Sequence, residues 1–220
     1  MKRQKKSVVV IGAGGHAKVV LSALLEGGVP VEGLLDDDQR TWGRAILGVR
    51  VLGSTSLAEG MPGRPAVLAV GNNAVRKALA RRLHDLAWVT VVHPKAYVHS
   101  TARLGCGSVV FSGAVIQPDA IIGEHCIVNT GATIDHDCVL GDYAHIAPGV
   151  NLAGNVRIGE GVLFGIGGAA APGVSIGDWA TIGAGGIVIG DLPAKTVAAG
   201  VPARAIRGRK RGRTESGSSC

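Results

Sequence analysis

Ala114-Val-Ile-Gln-Pro-Asp119, Ala120-Ile-Ile-Gly-Glu-His125, Cys126-Ile-Val-Asn-Thr-Gly131 and Ala132-Thr-Ile-Asp-His-Asp137 are four of sixteen consecutive hexapeptides that run in one register from Ala96 to Asp191. Each hexad opens on a small or β-branched residue. Its third position is Val, Leu, Ile or Phe in fifteen of the sixteen, and only Ala170 departs. A second period lies on the first: Leu104-Gly105, Ile122-Gly123, Leu140-Gly141, Ile158-Gly159 and Ile176-Gly177 recur every eighteen residues, which is three hexads. A six-residue unit supplies one short strand and one turn, too little to fold alone, so it must stack on its own copies as a solenoid. Helices are disfavoured by the apolar period of six and by the recurring glycine. The pattern predicts a triangular coil of three strands, third-position side chains pointing inward, turns at the corners, and coils about 4.8 Å apart.

The rest of the 220-residue chain leaves room for a second, modest unit. Ser7 to Ile11 is a β-branched run, Gly12 to Gly15 a turn, and His16 to Leu25 an amphipathic helix. Val31 to Leu35 and Pro65 to Val70 read as further strands. Val75, Leu79, Leu83 and Leu86 mark a second helix after Gly71-Asn72-Asn73, and Trp88 to Val92 is a last strand before His93-Pro94. Strand and helix in alternation predict a small parallel sheet with crossover helices, a Rossmann-like half. The domains expected are 1–93, α/β; 94–207, the solenoid; and 208–220, a basic, disordered tail.

The net charge of +7 resembles a nucleic-acid signal until it is located. Lys2, Arg3, Lys5 and Lys6, with six Arg or Lys from Arg204 to Arg213, hold ten of the 23 basic residues, so the charge belongs to solvated ends, with an anionic partner such as phosphate or a membrane surface as the alternative for the C-terminal cluster. Of the four cysteines, Cys126 and Cys138 take the small first position of hexads, a buried structural place, and no CxxC spacing exists for a metal. No run of eighteen apolar residues appears, and the apolar stretch after Lys6 is too short for a signal peptide. The expectation is a cytoplasmic protein without membrane insertion or nucleic-acid partner.

Glycine-rich turns that open a helix bind phosphate, because free N–H groups point outward and the helix dipole favours anions. Gly12, Gly14 and Ala17 fit a dinucleotide fingerprint, with Asp36 about twenty residues on for a ribose hydroxyl. A turn kept for packing alone is the bland alternative. With no second mononucleotide half, a single nucleotide with its sugar and phosphates suits this sheet better. Candidate contacts are Gly12, Gly14, Gly15, His16, Asp36 and Asp37, with Gly71 and Asn72 from the second helix-opening turn; His16 lies where a phosphate would sit, or only caps the turn.

The order Gly12-Ala-Gly-Gly-His16, Leu34-Leu-Asp-Asp-Asp38, Val70-Gly-Asn-Asn-Ala-Val-Arg-Lys77, then His93-Pro94 and hexads, resembles the bacterial sugar O-acyl/N-acetyltransferase family. That family includes sialic acid O-acetyltransferases and nucleotide-amino-sugar N-acetyltransferases of bacillosamine-type pathways. The resemblance covers Val8 to about Arg207. It implies a left-handed parallel β-helix of hexapeptide repeats, acetyl-coenzyme A as co-substrate, a homotrimer with cofactor between neighbours, and a role in bacterial surface glycan synthesis. Asn129 to Gly141, then His145 and Ala153-Gly-Asn155, is similar to its catalytic stretch. Gly200-Val-Pro-Ala-Arg204 resembles its acetyl-coenzyme A closing loop. The resemblance assigns His136 as base and Asp137, where several relatives carry Glu, as its partner. It puts Asn129 on substrate, His145 on substrate or cofactor, grouped here with the cofactor set, and Ile166, Ala184, Ala203 and Arg204 on the cofactor.

Acetyl transfer from a thioester requires a deprotonated nucleophile, an oxyanion donor and close positioning. His136 suits the base, and Asp137 would fix its tautomer and stabilise the imidazolium. Gly154 follows eighteen residues after His136, one coil along on the same edge, where its N–H would meet the oxyanion as the family implies. No Cys or Ser stands where an acyl-enzyme would need it, so attack is direct. His84, His93, His99 and His125 read as structural or exposed. A hexapeptide-type carbonic anhydrase would need three zinc-binding histidines; His136 and His145 are nine apart on different sides of the triangle, with no obvious third. A non-catalytic nucleotide-sugar module is the other rival, opposed by the His136–Asp137 pair. The favoured reaction is N-acetylation of a UDP-linked 4-amino-4,6-dideoxy sugar, with GDP- or dTDP-linked amino sugars and O-acetylation of a sialic-acid-type sugar as alternatives.

Overall fold

The computed structural model describes residues 7–206. The expected tail 208–220, Arg207 and Lys2 to Lys6 lie outside the described residues. The N-terminal unit is a six-stranded sheet in the order β3-β4-β2-β1-β5-β6, formed by Val8–Ile11 (β1), Val31–Leu35 (β2), Ala45–Ile46 (β3), Val49–Gly53 (β4), Pro65–Leu68 (β5) and Ala87–Trp88 (β6). All pairings are parallel except the β3–β4 hairpin. Helices Gly15–Glu26 (α1) and Asn73–Arg82 (α2) are the crossovers. α1 buries Ala17, Val20, Leu21 and Leu24 against the sheet, the period expected of its apolar face. The order reverses direction at β1, with β2 on one side and β5 on the other, and such a switch point opens a crevice beyond the strand ends.

The run Trp88 to Val92, expected as one strand, is divided. Ala87–Trp88 stays with the α/β sheet, whereas Val91–Val92 pairs with Val109–Val110 and begins the solenoid. The β3–β4 hairpin had no clear signal in the sequence; Leu47 and Gly48, both at positive φ, turn it.

From there short strands, nearly all of two residues, stack into three flat faces of eight, six and five strands, the eight closed by Val197–Ala199 and the antiparallel Arg204–Ala205, with residue i paired to i+18 throughout the hexads. Third-position side chains such as Ile116, Ile134, Leu152 and Phe164 form the core. Where Ala170 breaks the rule, the same coil carries the larger Phe164, whose ring reaches over Gly168; a Cβ there would lie 2.6 Å from it. The sixth position of every hexad from Gly107 to Gly185 has positive φ. Glycine takes most of these corners at no steric cost, and Asp119, Asp137 and Asn155 take others, as short polar residues tolerate that conformation. Cys126 and Cys138 are buried as expected, their thiols donating to Gly141 O at 3.2 Å and Ala153 O at 3.1 Å. Burial pushes the Cys126 thiol up to about 12.

The α/β unit sits on one solenoid face. Val109, Phe111 and Ile127 of that face join Val20, Leu24 and Val67 in a shared apolar cluster. Asn73 Nδ2 donates to Gly161 O at 2.9 Å, and Lys77 pairs with Glu160 beneath the rings of Tyr143 and Trp179. No helix among the described residues is long and apolar enough to cross a membrane.

Candidate active site

Backbone bonds between coils define three edges. On the first, Asp137 N–H donates to Pro118 O, Asn155 N–H to His136 O and Gly173 N–H to Gly154 O, at 3.2, 2.9 and 3.0 Å. Pro118, His136 and Gly154 therefore stand in one column, as the eighteen-residue period predicts. The left-handed turn at Asp137 (φ 60°) swings its carboxylate back to the preceding ring, Oδ2 lying 2.7 Å from His136 Nδ1. That bond holds the proton on Nδ1 and leaves the Nε2 lone pair free. It also raises the imidazole above its usual value, with the Asp135 and Asp137 charges adding to the shift. The side chain is 54% exposed, open to a reactant. Its ring lies against Gly154: a Cβ on that glycine would stand 2.6 Å from Cε1 and Nε2. Gly154 N–H has no acceptor among the described residues.

The second edge carries Thr130, Pro148, Ile166 and Ala184, joined by Gly149 N–H to Thr130 O (3.0 Å), Gly167 N–H to Pro148 O (2.9 Å) and Gly185 N–H to Ile166 O (2.8 Å). Ile166 is exposed. Ala203 packs at the end of this column, its N–H on Ile187 O at 2.7 Å. Arg204 follows, exposed, in the short hairpin strand Arg204–Ala205. Of the residues expected to meet the cofactor, Ile166, Ala184 and Arg204 are exposed and Ala203 is buried, and His145 lies apart from them.

His145 instead lies on the covered face between the third and second edges, under the α/β unit. Its Nδ1 is 3.3 Å from Gly71 O and its Nε2 3.2 Å from Asn129 Nδ2. A carbonyl on one nitrogen and an amide N–H on the other specify the neutral Nδ1–H tautomer. Burial first, then the Arg76 and His16 charges, lower it to about 4. His145 therefore groups with the substrate candidates Asn129 and Gly71 rather than with the Ile166–Ala203 column.

The nucleotide candidates surround the same spot. Gly12 (φ 112°) must be glycine, since a Cβ would lie 2.9 Å from Ala69 O. Gly14 and Gly15, at the start of α1, face open space, and this helix has no capping side chain and no acid in its first turn. Its free N–H groups are a fitting cradle for phosphate. His16 packs edge-on to Phe111 at 5.4 Å and 6.2 Å from the His145 ring; its buried Nε2 has no partner, and burial lowers it to about 4. Asp36 braces the turn, Oδ2 accepting from Ala13 N–H at 2.6 Å and Oδ1 from Asp38 N–H at 2.8 Å. Asp37 points elsewhere, accepting from Ser54 and Thr55 at 2.7 to 2.9 Å, bonds that hold its carboxyl below the usual range. Asn72 spends its Oδ1 capping α2 through Val75 N–H at 3.0 Å.

Residues 7–83 match a family model described as the PglD N-terminal domain. Over the longer chain, the acetyltransferase domain of PglB from Neisseria gonorrhoeae FA1090, solved with acetyl coenzyme A, is 36% identical, with a TM-score of 0.87, covering 92% of this chain and 100% of that one. The chain belongs to the hexapeptide-repeat bacterial sugar acetyltransferase family. Another member, a histidine-to-asparagine variant of perosamine N-acetyltransferase from Caulobacter crescentus solved with CoA and GDP-perosamine, is 40% identical at a TM-score of 0.86, covering 91% of this chain and 97% of that one. The UDP-N-acetylbacillosamine N-acetyltransferase of Bacillus subtilis (strain 168) is 40% identical over 112 residues, 49% of this chain. This family member spans about half the length (52%) of that curated relative and less (21%) of another.

Sequence reasoning missed Arg76, Asn73 and Lys77, which fasten the α/β unit to the solenoid. The polar run Asn72-Asn73 and Arg76-Lys77, spaced to fall on one face of α2, was their signal.

Proposed function

We propose that the protein is an acetyl-coenzyme A-dependent N-acetyltransferase whose acceptor is a nucleotide-linked amino sugar, most simply a UDP-linked 4-amino-4,6-dideoxy sugar. The observation that carries this reading is the exposed His136–Asp137 pair, with its free Nε2 against Gly154 and the unpaired Gly154 N–H. The sugar's neutral amine attacks the thioester carbonyl while Nε2 takes its proton. The oxygen of the tetrahedral intermediate gains negative charge and is met by Gly154 N–H. Collapse breaks the C–S bond, and the imidazolium, stabilised by Asp137, returns its proton to the departing thiolate. Nothing in these steps needs a metal or an acyl-enzyme.

The turn Gly12–Gly15 and the N-terminus of α1 hold the pyrophosphate, Asp36 lies beside the ribose, and Asn129, His16 and Gly71 face the sugar. Coenzyme A runs along Ile166, Ala184, Ala203 and Arg204. This column and the His136 column are different edges of one triangle, so a complete site joins the second edge of one copy to the first edge of another. That supports a homotrimer with three shared sites.

The deciding assay is release of coenzyme A thiol from acetyl-coenzyme A with a panel of UDP-, GDP- and dTDP-linked amino sugars and a free sialic acid. Release with the UDP-linked 4-amino sugar above the rest supports the reading. Preference for the GDP-linked sugar would reassign the nucleotide, release with the sialic acid alone would make the enzyme an O-acetyltransferase, and no release with any acceptor would overturn it.

A further inference from the structure

Among the described residues, the largest fully buried side chain is a guanidinium. Arg76, on α2, is 1% exposed, and no carboxylate pairs with it among the described residues. All five of its N–H groups are nonetheless directed. Nε donates to His125 O at 2.8 Å; Nη1 lies 3.1 Å from Val70 O and 3.2 Å from Gly71 O; Nη2 lies 3.0 Å from Asn73 Oδ1 and 2.6 Å from Tyr143 O. Two acceptors belong to the solenoid and three to the turn that opens α2. A buried charge without a counter-charge is costly, and an apolar side chain of that length would fill the volume more cheaply. Its planar fork is what an apolar side chain or a lysine could not reproduce.

We propose that Arg76 is a positioning residue: by fixing the carbonyl of Gly71 it sets the tautomer of His145 and so the orientation of the Asn129 amide toward the sugar. Gly71 O is shared, accepting from Arg76 Nη1 and from His145 Nδ1. With its proton on Nδ1, His145 must accept at Nε2, and Asn129 Nδ2 supplies that bond while Asn129 Oδ1 accepts from Thr130 N–H at 2.9 Å. Four groups in series thus tie the nucleotide-side turn to the second edge of the solenoid. Burial and the nearby Arg76 charge both disfavour protonation of His145, which keeps the series in one state. The proposal rests on the reading in which Asn129 and Gly71 face the nucleotide sugar.

Its first test reads the parent protein and needs no substrate. Nitrogen-15 NMR of histidine-labelled protein at about pH 6, with the His145 resonances assigned from His145→Gln, should show a neutral Nδ1–H ring; an Nε2–H or charged ring overturns the proposal. In Arg76→Lys, which keeps the charge but loses the fork, the His145 tautomers should mix. KM for the nucleotide sugar should rise by about tenfold or more, while KM for acetyl-coenzyme A and kcat change by less than about twofold. An unchanged KM in folded Arg76→Lys, or an equal rise in both KM values, also overturns it. Because the tautomer is read without turnover, absence of acetyl transfer would sink the proposed reaction and leave the positioning series standing.

Discussion

The His136 ring leans on a glycine, and one methyl group would disturb it. Gly154 has an ordinary backbone conformation, so alanine there is not strained in φ, but its Cβ would stand 2.6 Å from Nε2 and Cε1. The imidazole must turn away from the place where the amine and the oxyanion meet. Misplacement of about 1 Å costs on the order of a hundredfold in rate, so Gly154→Ala should lower kcat by about that factor with little change in melting temperature. Steady-state kinetics beside a thermal melt checks this, and an unchanged kcat would contradict the geometry. The sequence made this pair legible through counting alone, since eighteen residues separate His136 from Gly154. It did not reveal that Asp137 reaches the ring from a left-handed turn, because a hexad pattern carries no sign of φ when the corner residue is not glycine.

At the scale of elements, the turn between β1 and α1 is set by Gly12. Its φ of 112° is closed to other residues, and the nearest obstacle to a Cβ is the backbone oxygen of Ala69, which cannot swing aside as a side chain could. Gly12→Ala should destabilise the α/β unit by roughly 1–3 kcal/mol and weaken nucleotide binding, measured by urea unfolding and by titration with UDP; a variant as stable as the parent would refute the packing argument. The solenoid faces, the inward third positions and both crossover helices were all readable from periodicity, because each depends on neighbours at fixed spacing. Asp37 was not. Two adjacent aspartates after a strand look alike in sequence, yet Asp36 braces the glycine turn and Asp37 holds Thr55, a difference created by the hairpin β3–β4 and the turn that follows it. His145, which the resemblance gave to substrate or cofactor, lies under the docked α/β unit beside Asn129 and Gly71.

The whole molecule is held together around a buried, polar seam. Arg76, Asn73 and Lys77 contact residues 49 to 89 positions away, partners that a polar face on α2 announces but does not name. His16, His125 and His145 flank this seam, each lowered to about 4, first by burial and then by Arg76. Unfolded, each would titrate near 6.5. The unfolded chain therefore binds more protons than the folded one between these values, and the three imidazoles contribute stability that is fully present above about pH 6.5 and lost as pH falls toward 4. Acidification from pH 7.5 to 5 should lower the unfolding free energy by on the order of a few kcal/mol, read from urea midpoints; equal midpoints would mean that the histidines are not buried neutral. The same seam lets one chain carry the crevice at the β1–α1 turn and a solenoid edge in fixed relation, while the proposed base, His136, sits on another edge. The central claim is that His136 is that base, and it is tested most directly by comparing the parent with His136→Ala in single-turnover acetyl transfer to the nucleotide amino sugar. The account predicts a rate lower by about a hundredfold to ten-thousandfold with nucleotide-sugar affinity within a factor of about two; a rate equal to the parent's would contradict it.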